Sequence, residues 1–299
     1  MHEDYNFPER YQGSNELLLL LCDIAGLEDG FKPASIFYAQ KLRLPQTMSL
    51  LRDIGYAVEV ADFVHAGLSG RTVPSEGDHG SFFPLYVSRY RHVAKELKLL
   101  YEFLNSGSKD TAAAAQRIGS LLGYPECCTR FVLSSPKFDK YTNEVKNDTE
   151  YQALCRYLAL KEGKHISYLL NNFNLHMPRV MGFNVCNYSC EKAEEFSLQV
   201  LDYVKRNRMN LQLIKKELCQ AVLHFSFGVS ISFEEVQHKG VSISYKSPKL
   251  SQALPLLRAF EEGNSFEITQ DSVLVFKEGE EIGCVPISKE FDAIFVEFE

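Results

Sequence analysis

The sequence predicts an α+β fold in which helices and strands occupy different stretches of the chain. Between residues 90 and 219, apolar side chains recur at the spacing of helices. After residue 220 the apolar pattern changes to alternation, which is typical of strands. This order indicates an α+β protein with a mixed N-terminal part (1–108), a helical, cysteine-bearing centre (109–219) and a small, β-rich, acidic C-terminal part (220–299).

The N-terminal region is expected to combine helices with strands. Residues 1–13 show no period and are interpreted as an extended arm. Ser14 can then cap a helix that reaches Ala25 and ends at Gly26. Periodicity and the placement of Pro and Gly predict the elements that follow. They are a helix over 46–54, a strand over 57–64, a loop over 67–81, a strand over 82–87 and a helix over 90–104.

The central region is predicted to be helical. Its expected helices cover 110–122, 125–134, 149–162, 190–206 and 211–219, with a polar surface loop over 137–147. Cys155 and Cys219 lie on the apolar sides of two of these helices. We therefore expect both thiols to be buried core residues.

The C-terminal region is predicted to consist of short strands. They cover 221–227, 229–233, 241–245, 266–268, 273–276, 282–285 and 293–298, with a hairpin turn at 238–240. Residues 250–262 are expected to form a helix broken at Pro255. The segment 261–299 contains eleven acidic residues and two lysines, so it carries −9 and leaves +2 for the rest of the chain.

The first cysteine pair follows a Gly-Tyr-Pro turn. Pro125 suits the first position of a helix because its φ is fixed near the helical value and it has no N–H to leave unpaired. Glu126, Cys127 and Cys128 then fall in the first turn, where free amides and the helix dipole favour negative charge. A thiol in this position tends towards the thiolate, the form that binds metals and attacks electrophiles.

The second pair, Cys186 and Cys190, also precedes a predicted helix. Asn187 or Ser189 can cap that helix, which places Cys190 at its start. Two thiol pairs at helix N-termini suggest one site with four ligands: Cys127, Cys128, Cys186 and Cys190. Apolar side chains are expected to enclose this site and exclude water: Leu121, Leu122, Phe131 and Phe196.

Four thiolates suit zinc or an iron–sulfur cluster. Adjacent side chains diverge, so Cys127 and Cys128 fit a mononuclear ion poorly. A cluster, or a site that uses one of them together with His176, relaxes this demand. One tetrahedral zinc would hold its sulfurs within roughly 4 Å of each other, whereas the ligands of a cluster would be spread several ångströms wider.

Other interpretations of the cysteines remain open at this point. They fit a metal-free enzyme that uses Cys127 or Cys128 as nucleophile and Cys186 or Cys190 to resolve the intermediate. They also fit small side chains packed at helix starts without a common site. In a further alternative the chain is a binding or scaffold module, whose cysteine site fixes the fold while the acidic end recruits a partner.

The segments Leu121-Leu-Gly-Tyr-Pro-Glu-Cys-Cys-Thr-Arg-Phe131, Leu170-Asn-Asn-Phe173 and Cys186-x-x-x-Cys190 resemble an uncharacterised family of bacterial and archaeal proteins. That family carries Leu-Leu-Gly-Tyr-Pro-x-Cys-Cys followed by Cys-x-x-x-Cys, and the resemblance spans roughly residues 86–195. The family has His-x-Pro immediately before its second pair, whereas this chain has Phe183 and Val185 there. The resemblance implies a cysteine site and no established activity.

Composition and motifs restrict the function without naming it. The net charge of −7 gives no indication of binding to nucleic acid or membrane. A basic surface is available over 89–98 or 205–216, for which a solvated helix face is the simpler interpretation. The apolar run Leu17–Leu21 is too short to span a bilayer, so we expect a cytoplasmic protein, whose eight cysteines suit metal or thiol chemistry better than disulfides.

The substrate stays unnamed by the sequence. Phosphate-loop, dinucleotide-binding and serine-hydrolase motifs do not occur in it. The sequence therefore leaves open whether the chain is an enzyme and whether its partner is a small molecule or a protein.

Overall fold

The computed structural model describes residues 21–66, 71–74, 81–106, 111–134, 153–155, 166–173, 180–226, 228–251, 254–287 and 292–298. Within them, helices and three antiparallel sheets confirm the predicted α+β class. Contacts between Cα atoms divide the chain into two compact units. One consists of Met1–Leu133, Pro178–Phe183 and Glu195–Leu211, and the other of Ser134–Met177, Asn184–Glu194 and Gln212–Glu299. This division does not test the three regions drawn from composition, which stay a prediction.

The first unit contains a five-stranded antiparallel sheet. Its strands are β1 (Ser35–Gln40), β2 (Ala57–Val60), β3 (Phe63–Ala66), β4 (Arg71–Pro74) and β5 (Ser81–Ser88). Strand β5 pairs with β1, β2 and β3, and β4 pairs with β3. The predicted strand over 57–64 is thus two strands. The prediction of a loop over 67–81 is wrong at β4, because the surrounding Gly and Ser residues hide a four-residue strand.

The helices described between residues 21 and 134 are α1 (Leu21–Asp29), α2 (Leu44–Asp53), α3 (Arg91–Asn105), α4 (Ala112–Leu121) and α5 (Glu126–Ser134). Four of them match their predicted spans within about three residues. Helix α1 does not end at Gly26 as predicted. A Cβ at Gly26 would overlap the side chain of Lys32, so this glycine serves a close approach, and the left-handed residue that follows the helix is Gly30 (φ +80°).

Helix α3 packs its apolar face against the sheet and against α4. The buried residues of this cluster include Tyr86 from β5, Leu97 from α3 and Ile118 from α4. Leu121 and Leu122, at the end of α4, belong to the same cluster. The core therefore fixes the end of α4, which immediately precedes the first cysteine pair.

The second unit contains two further antiparallel sheets. Strands β6 (Ala221–Phe225), β7 (Val229–Phe233), β8 (Glu235–Lys239), β9 (Ser242–Lys246) and β10 (Lys249–Leu250) come first, followed by β11 (Ser265–Ile268), β12 (Ser272–Lys277), β13 (Glu280–Pro286) and β14 (Ala293–Val296). One sheet has the order β10-β7-β6-β14 and the other β13-β12-β11-β9-β8. Phe225, Phe233, Phe260 and Phe266 form the centre of their common core.

Two predictions for the C-terminal region are wrong in detail. Strand β8 was not expected, because it lies exposed at a sheet edge and Val236 is its one apolar residue. The helix predicted over 250–262 is instead β10, a 3₁₀ turn at Pro255–Leu257 and the short helix α8 (Ala259–Glu262). Pro255 starts the turn, as a residue without an N–H can.

Helices α6 (Glu191–Arg206) and α7 (Leu211–Leu218) follow the second cysteine pair, as predicted. Cys155 and Cys219 are both exposed, so the prediction that they are core residues is wrong. Cys219 directly follows the last residue of α7, where the apolar face no longer determines burial. The extended arm, the 137–147 loop, most of the 149–162 helix and His176 lie outside the described residues. Among the described helices, none is long and apolar enough to cross a membrane.

Candidate metal centre

Gly123 ends helix α4 and lets the chain turn towards the first cysteine pair. Its N–H donates to the carbonyl of Ser120 (3.2 Å), and the N–H of Tyr124 donates to that of Gly119 (2.9 Å). These two bonds define a Schellman motif, which needs a left-handed residue, and Gly123 has φ +70°. A Cβ at Gly123 would also lie 2.8 Å from the carbonyl oxygen of Phe31. Glycine is required here for both reasons.

Pro125 is the N-cap of helix α5 rather than its first residue as predicted, because the helix begins at Glu126. Its carbonyl accepts the first bond of the helix, from the N–H of Thr129 (3.0 Å). Cys127 and Cys128 consequently lie in the first turn, and their Sγ atoms are 4.0 Å apart. The expected divergence of adjacent side chains does not keep these two sulfurs from lying near a common point.

The second pair is held by a short turn before helix α6. The carbonyl of Asn187 accepts a bond from the N–H of Cys190 (3.1 Å), and its Oδ1 accepts one from the N–H of Ser189 (3.1 Å). The carbonyl of Cys190 accepts bonds from the N–H groups of Ala193 and Glu194, both at 3.0 Å. Cys190 is therefore itself the N-cap of α6, rather than Asn187 or Ser189 as predicted.

The structure brings the four predicted cysteines together. The Sγ atoms of Cys127, Cys128, Cys186 and Cys190 all lie within 4.8 Å of one another, a group that can hold a metal ion. Cys128 and Cys190 are buried, with 1% and 9% of their surfaces exposed, whereas Cys127 and Cys186 are half-buried. The spatial prediction that the two helix starts converge is thereby confirmed.

Tyr124 connects the chain segments that lead into the two pairs. Its hydroxyl donates to the carbonyl of Gly182 (3.3 Å), and its ring lies 5.0 Å from that of Phe183. Burial raises the pKa of the Tyr124 phenol well above its ordinary value, so the hydroxyl stays protonated and remains a donor. Tyr124 lies three residues before Cys127, and Gly182 and Phe183 lie four and three residues before Cys186. The Gly-Tyr-Pro motif therefore supplies, in order, a turn, a connecting side chain and a helix start.

Aromatic packing holds the start of α6 in the same region. The ring of Phe183 contacts that of Phe196 edge-on at 5.1 Å, and Phe196 contacts Phe31 at 5.2 Å. Of the four residues expected to enclose the site, all are buried: Leu121, Leu122, Phe131 and Phe196. The contributions of Phe31 and Phe183 were missed, because no spacing in the sequence relates them.

The loop between Cys186 and Cys190 is fixed at its middle residue. The ring of Tyr188 stacks on Phe173 (5.7 Å, interplanar angle 8°) and meets Phe298 at 6.3 Å. Its hydroxyl donates to Oδ1 of Asn172 (2.8 Å). Aromatic contacts of this kind contribute about 0.5–1.5 kcal/mol beyond their buried area, so the loop is well restrained.

A buried ion pair lies beside Gly123. The ammonium group of Lys32 pairs with the carboxylate of Asp23 and sits 5.6 Å from the centre of the Tyr124 ring. Both charged residues are buried. Gly26 and Gly123 leave room for the aliphatic part of Lys32. The sequence offered no signal for this pair.

Comparison with known proteins adds no relative: no family model, no curated protein and no solved structure matches the chain. The family resemblance of the cysteine motifs stays a prediction. The four-cysteine site is therefore the feature of the chain that bears on its function.

Proposed function

We propose that Cys127, Cys128, Cys186 and Cys190 bind a single zinc ion. A tetrahedron with Zn–S bonds of about 2.3 Å has edges of about 3.8 Å. The four sulfurs lie within 4.8 Å of one another, so shifts of about 1 Å or less bring them to this geometry. The ligands of an iron–sulfur cluster would be spread several ångströms wider. The small spread of the sulfurs is the observation that carries the proposal.

A zinc ion with four protein ligands serves structure rather than catalysis. Catalytic zinc sites have three protein ligands and keep the fourth position for water or substrate. Here the four thiolates fill the coordination shell, and the ion would link the starts of α5 and α6. Because such sites form only in the folded chain, binding of the ion adds directly to the stability of the fold.

Metal analysis of the purified protein tests this proposal. We expect about one zinc per chain by mass spectrometry, and d–d bands of tetrahedral thiolate cobalt after exchange with Co²⁺. Cys128→Ser and Cys190→Ser should each lower the bound zinc several-fold and lower the melting temperature. Three exposed cysteines serve as matched controls and should leave the zinc content unchanged when replaced by serine: Cys155, Cys219 and Cys284. The proposal is refuted if the purified protein contains no zinc and added zinc does not raise its melting temperature.

An iron–sulfur cluster is the alternative within the same ligand set. Protein prepared without oxygen would then contain iron and sulfide and would absorb in the visible range, and it would lose both on exposure to air. Colourless protein with stoichiometric zinc in both preparations decides for the single ion.

A metal-free thiol enzyme is the second candidate. It is favoured by the half-buried position of Cys127 and by its sulfur's distance of 4.0 Å from that of Cys128. Alkylation by iodoacetamide as a function of pH distinguishes this candidate, because a catalytic thiol reacts well below the ordinary cysteine pKa of about 8.5. Four thiols that react only above that value in the metal-free protein would exclude it.

The location follows from the same chemistry. Cysteines can bind zinc only as free thiolates and not as disulfides. We therefore propose a reducing compartment such as the cytoplasm. Under this proposal the cysteine site fixes the fold, and any activity or partner, whether a small molecule or a protein, is served by other surfaces.

A further inference from the structure

A basic depression lies at the start of helix α3, in the first unit. Its volume is about 700 Å³, within the range of pockets that hold small molecules. The residues that line it are Glu59, Arg89, Tyr90, Arg91, His92 and Lys95. The depression uses none of the residues assigned to the metal centre.

The lining carries three permanent positive charges and one carboxylate. The guanidinium of Arg89 is fixed by a bond to the carbonyl of Glu28 (2.6 Å). Arg91 lies 3.7 Å from Glu59, and its side chain is 88% exposed. Among the described residues, the ion pairs around α3 join Arg91 to Glu59 and Lys98 to Asp62 and Glu102, and none of them involves Lys95. Arg91 and Lys95 are therefore available to an anionic ligand, while Arg89 sets the position of the wall.

Backbone donors are also present at the start of α3. Tyr90 is the N-cap of α3 and makes no side-chain cap, and its carbonyl accepts bonds from the N–H groups of Val93 and Ala94. The first two amides of the helix, those of Arg91 and His92, have no acceptor in the described part of the chain. Two amides beside two arginines and a lysine form a set of donors suited to phosphate oxygens.

An aromatic surface stands next to these donors. Tyr90 is 64% exposed, and its ring lies 5.9 Å from the ring of His92. An exposed aromatic ring next to phosphate donors can stack against a nucleobase, and every base offers such a face. We propose that the depression binds a nucleotide, with its phosphates on Arg91, Lys95 and the helix amides and its base on Tyr90.

The size of the depression favours a small ligand over a long strand. The positive charge in the depression is local, and its volume suits one nucleotide. A mononucleotide therefore fits the observations better than RNA or DNA.

Calorimetric titration of the full-length protein with ADP tests the proposal. We expect a dissociation constant below about 1 mM at low salt. The double variant Arg91→Gln, Lys95→Gln should weaken ADP binding at least about tenfold, because it removes both available side-chain cations. A control double variant, Lys192→Gln, Lys205→Gln, removes the same charge from α6 and should leave the affinity unchanged.

Two further measurements distinguish the contribution of the base to binding from that of the phosphates. Tyr90→Ala should weaken ADP at least about fivefold and leave binding of inorganic pyrophosphate unchanged, because pyrophosphate has no base to stack. The proposal is overturned by the absence of ADP binding at about 10 mM, by equal losses in the two double variants, or by Tyr90→Ala without effect on ADP. Tight binding of an oligonucleotide without binding of ADP would also overturn it, in favour of a strand-binding surface.

Discussion

The hydroxyl groups of two buried tyrosines have different surroundings. Tyr245 donates to the carbonyl of Phe260 (3.0 Å), whereas the Tyr86 hydroxyl finds no partner among the described residues. A buried hydroxyl without a partner lowers stability by about 1–3 kcal/mol, and a satisfied one contributes about 1 kcal/mol. We expect Tyr86→Phe to raise the free energy of unfolding by about 1 kcal/mol and Tyr245→Phe to lower it by a similar amount. Urea unfolding of both variants measures this, and equal signs would contradict it.

Buried phenols also make the stability depend on alkaline pH. Burial raises the pKa of Tyr86, Tyr101 and Tyr245 above the ordinary value of 10.0. The unfolded chain therefore loses these protons first, so the stability that they contribute is complete below pH 10 and falls as the pH rises further. We expect the urea midpoint to decrease between about pH 10 and 11.5. The decrease should be smaller in Tyr86→Phe, and an unchanged slope in that variant would contradict the assignment.

Replacement of Gly123 by alanine has two unfavourable effects, a strained backbone conformation and a close contact. Alanine there must adopt φ +70° and also place its Cβ 2.8 Å from the Phe31 oxygen. Gly30 has a similar φ of +80° and nothing within 4 Å of its missing Cβ, which makes it a matched control. We expect Gly30→Ala to lower the free energy of unfolding by about 1 kcal/mol, and Gly123→Ala by at least about 2 kcal/mol. Equal losses, measured in urea, would show that the close contact relaxes without cost.

At the scale of elements, the sequence predicts helices and strands best where the positions of Pro and Gly agree with the apolar periodicity. Pro125 and the turn before it locate the start of α5, and alternation locates β6 and β7. The prediction fails where tertiary contacts determine the secondary structure. Gly26 lies inside α1 because Lys32 packs on it, and β8 is a strand because β9 pairs with it, although its own residues are polar.

The candidate site was likewise predicted only in part. Helix starts predicted the convergence of Cys127, Cys128, Cys186 and Cys190, which the structure confirms. The contacts that support them were not predictable, since they join residues far apart in the chain. The bond from Tyr124 to Gly182 spans 58 positions. Cys219 was wrongly predicted to be buried, because the apolar face of α7 was extended past the end of that helix.

At the scale of the whole molecule, the C-terminal strands support the segment before the second cysteine pair. Ile166 forms a parallel bridge with Phe298, and the Asn171 side chain donates to the carbonyl of Gln220 (3.5 Å). Phe173 packs against His224 at 4.8 Å. Removal of residues 220–299 exposes this segment and takes Phe298 away from Tyr188.

We therefore expect the chain truncated after residue 219 to be insoluble or to bind zinc much more weakly. Solubility, circular dichroism and metal content measure this, with Phe298→Ala as a milder variant that should retain the fold and lower zinc affinity by a smaller factor. A soluble truncated protein with full zinc content would instead support the scaffold interpretation, in which the acidic end is an attached recruitment module.

The distance between the cysteine pairs along the chain has a consequence during synthesis. Cys128 and Cys186 lie 58 positions apart. A ribosome that adds about 5–20 residues per second needs roughly 3–12 s to cover that interval. During this time the first two thiols are present in the nascent polypeptide without the other two ligands, exposed to oxidants and to competing metals. Under the proposed zinc binding, the supply of reductant and zinc during translation therefore limits the yield of correctly loaded protein.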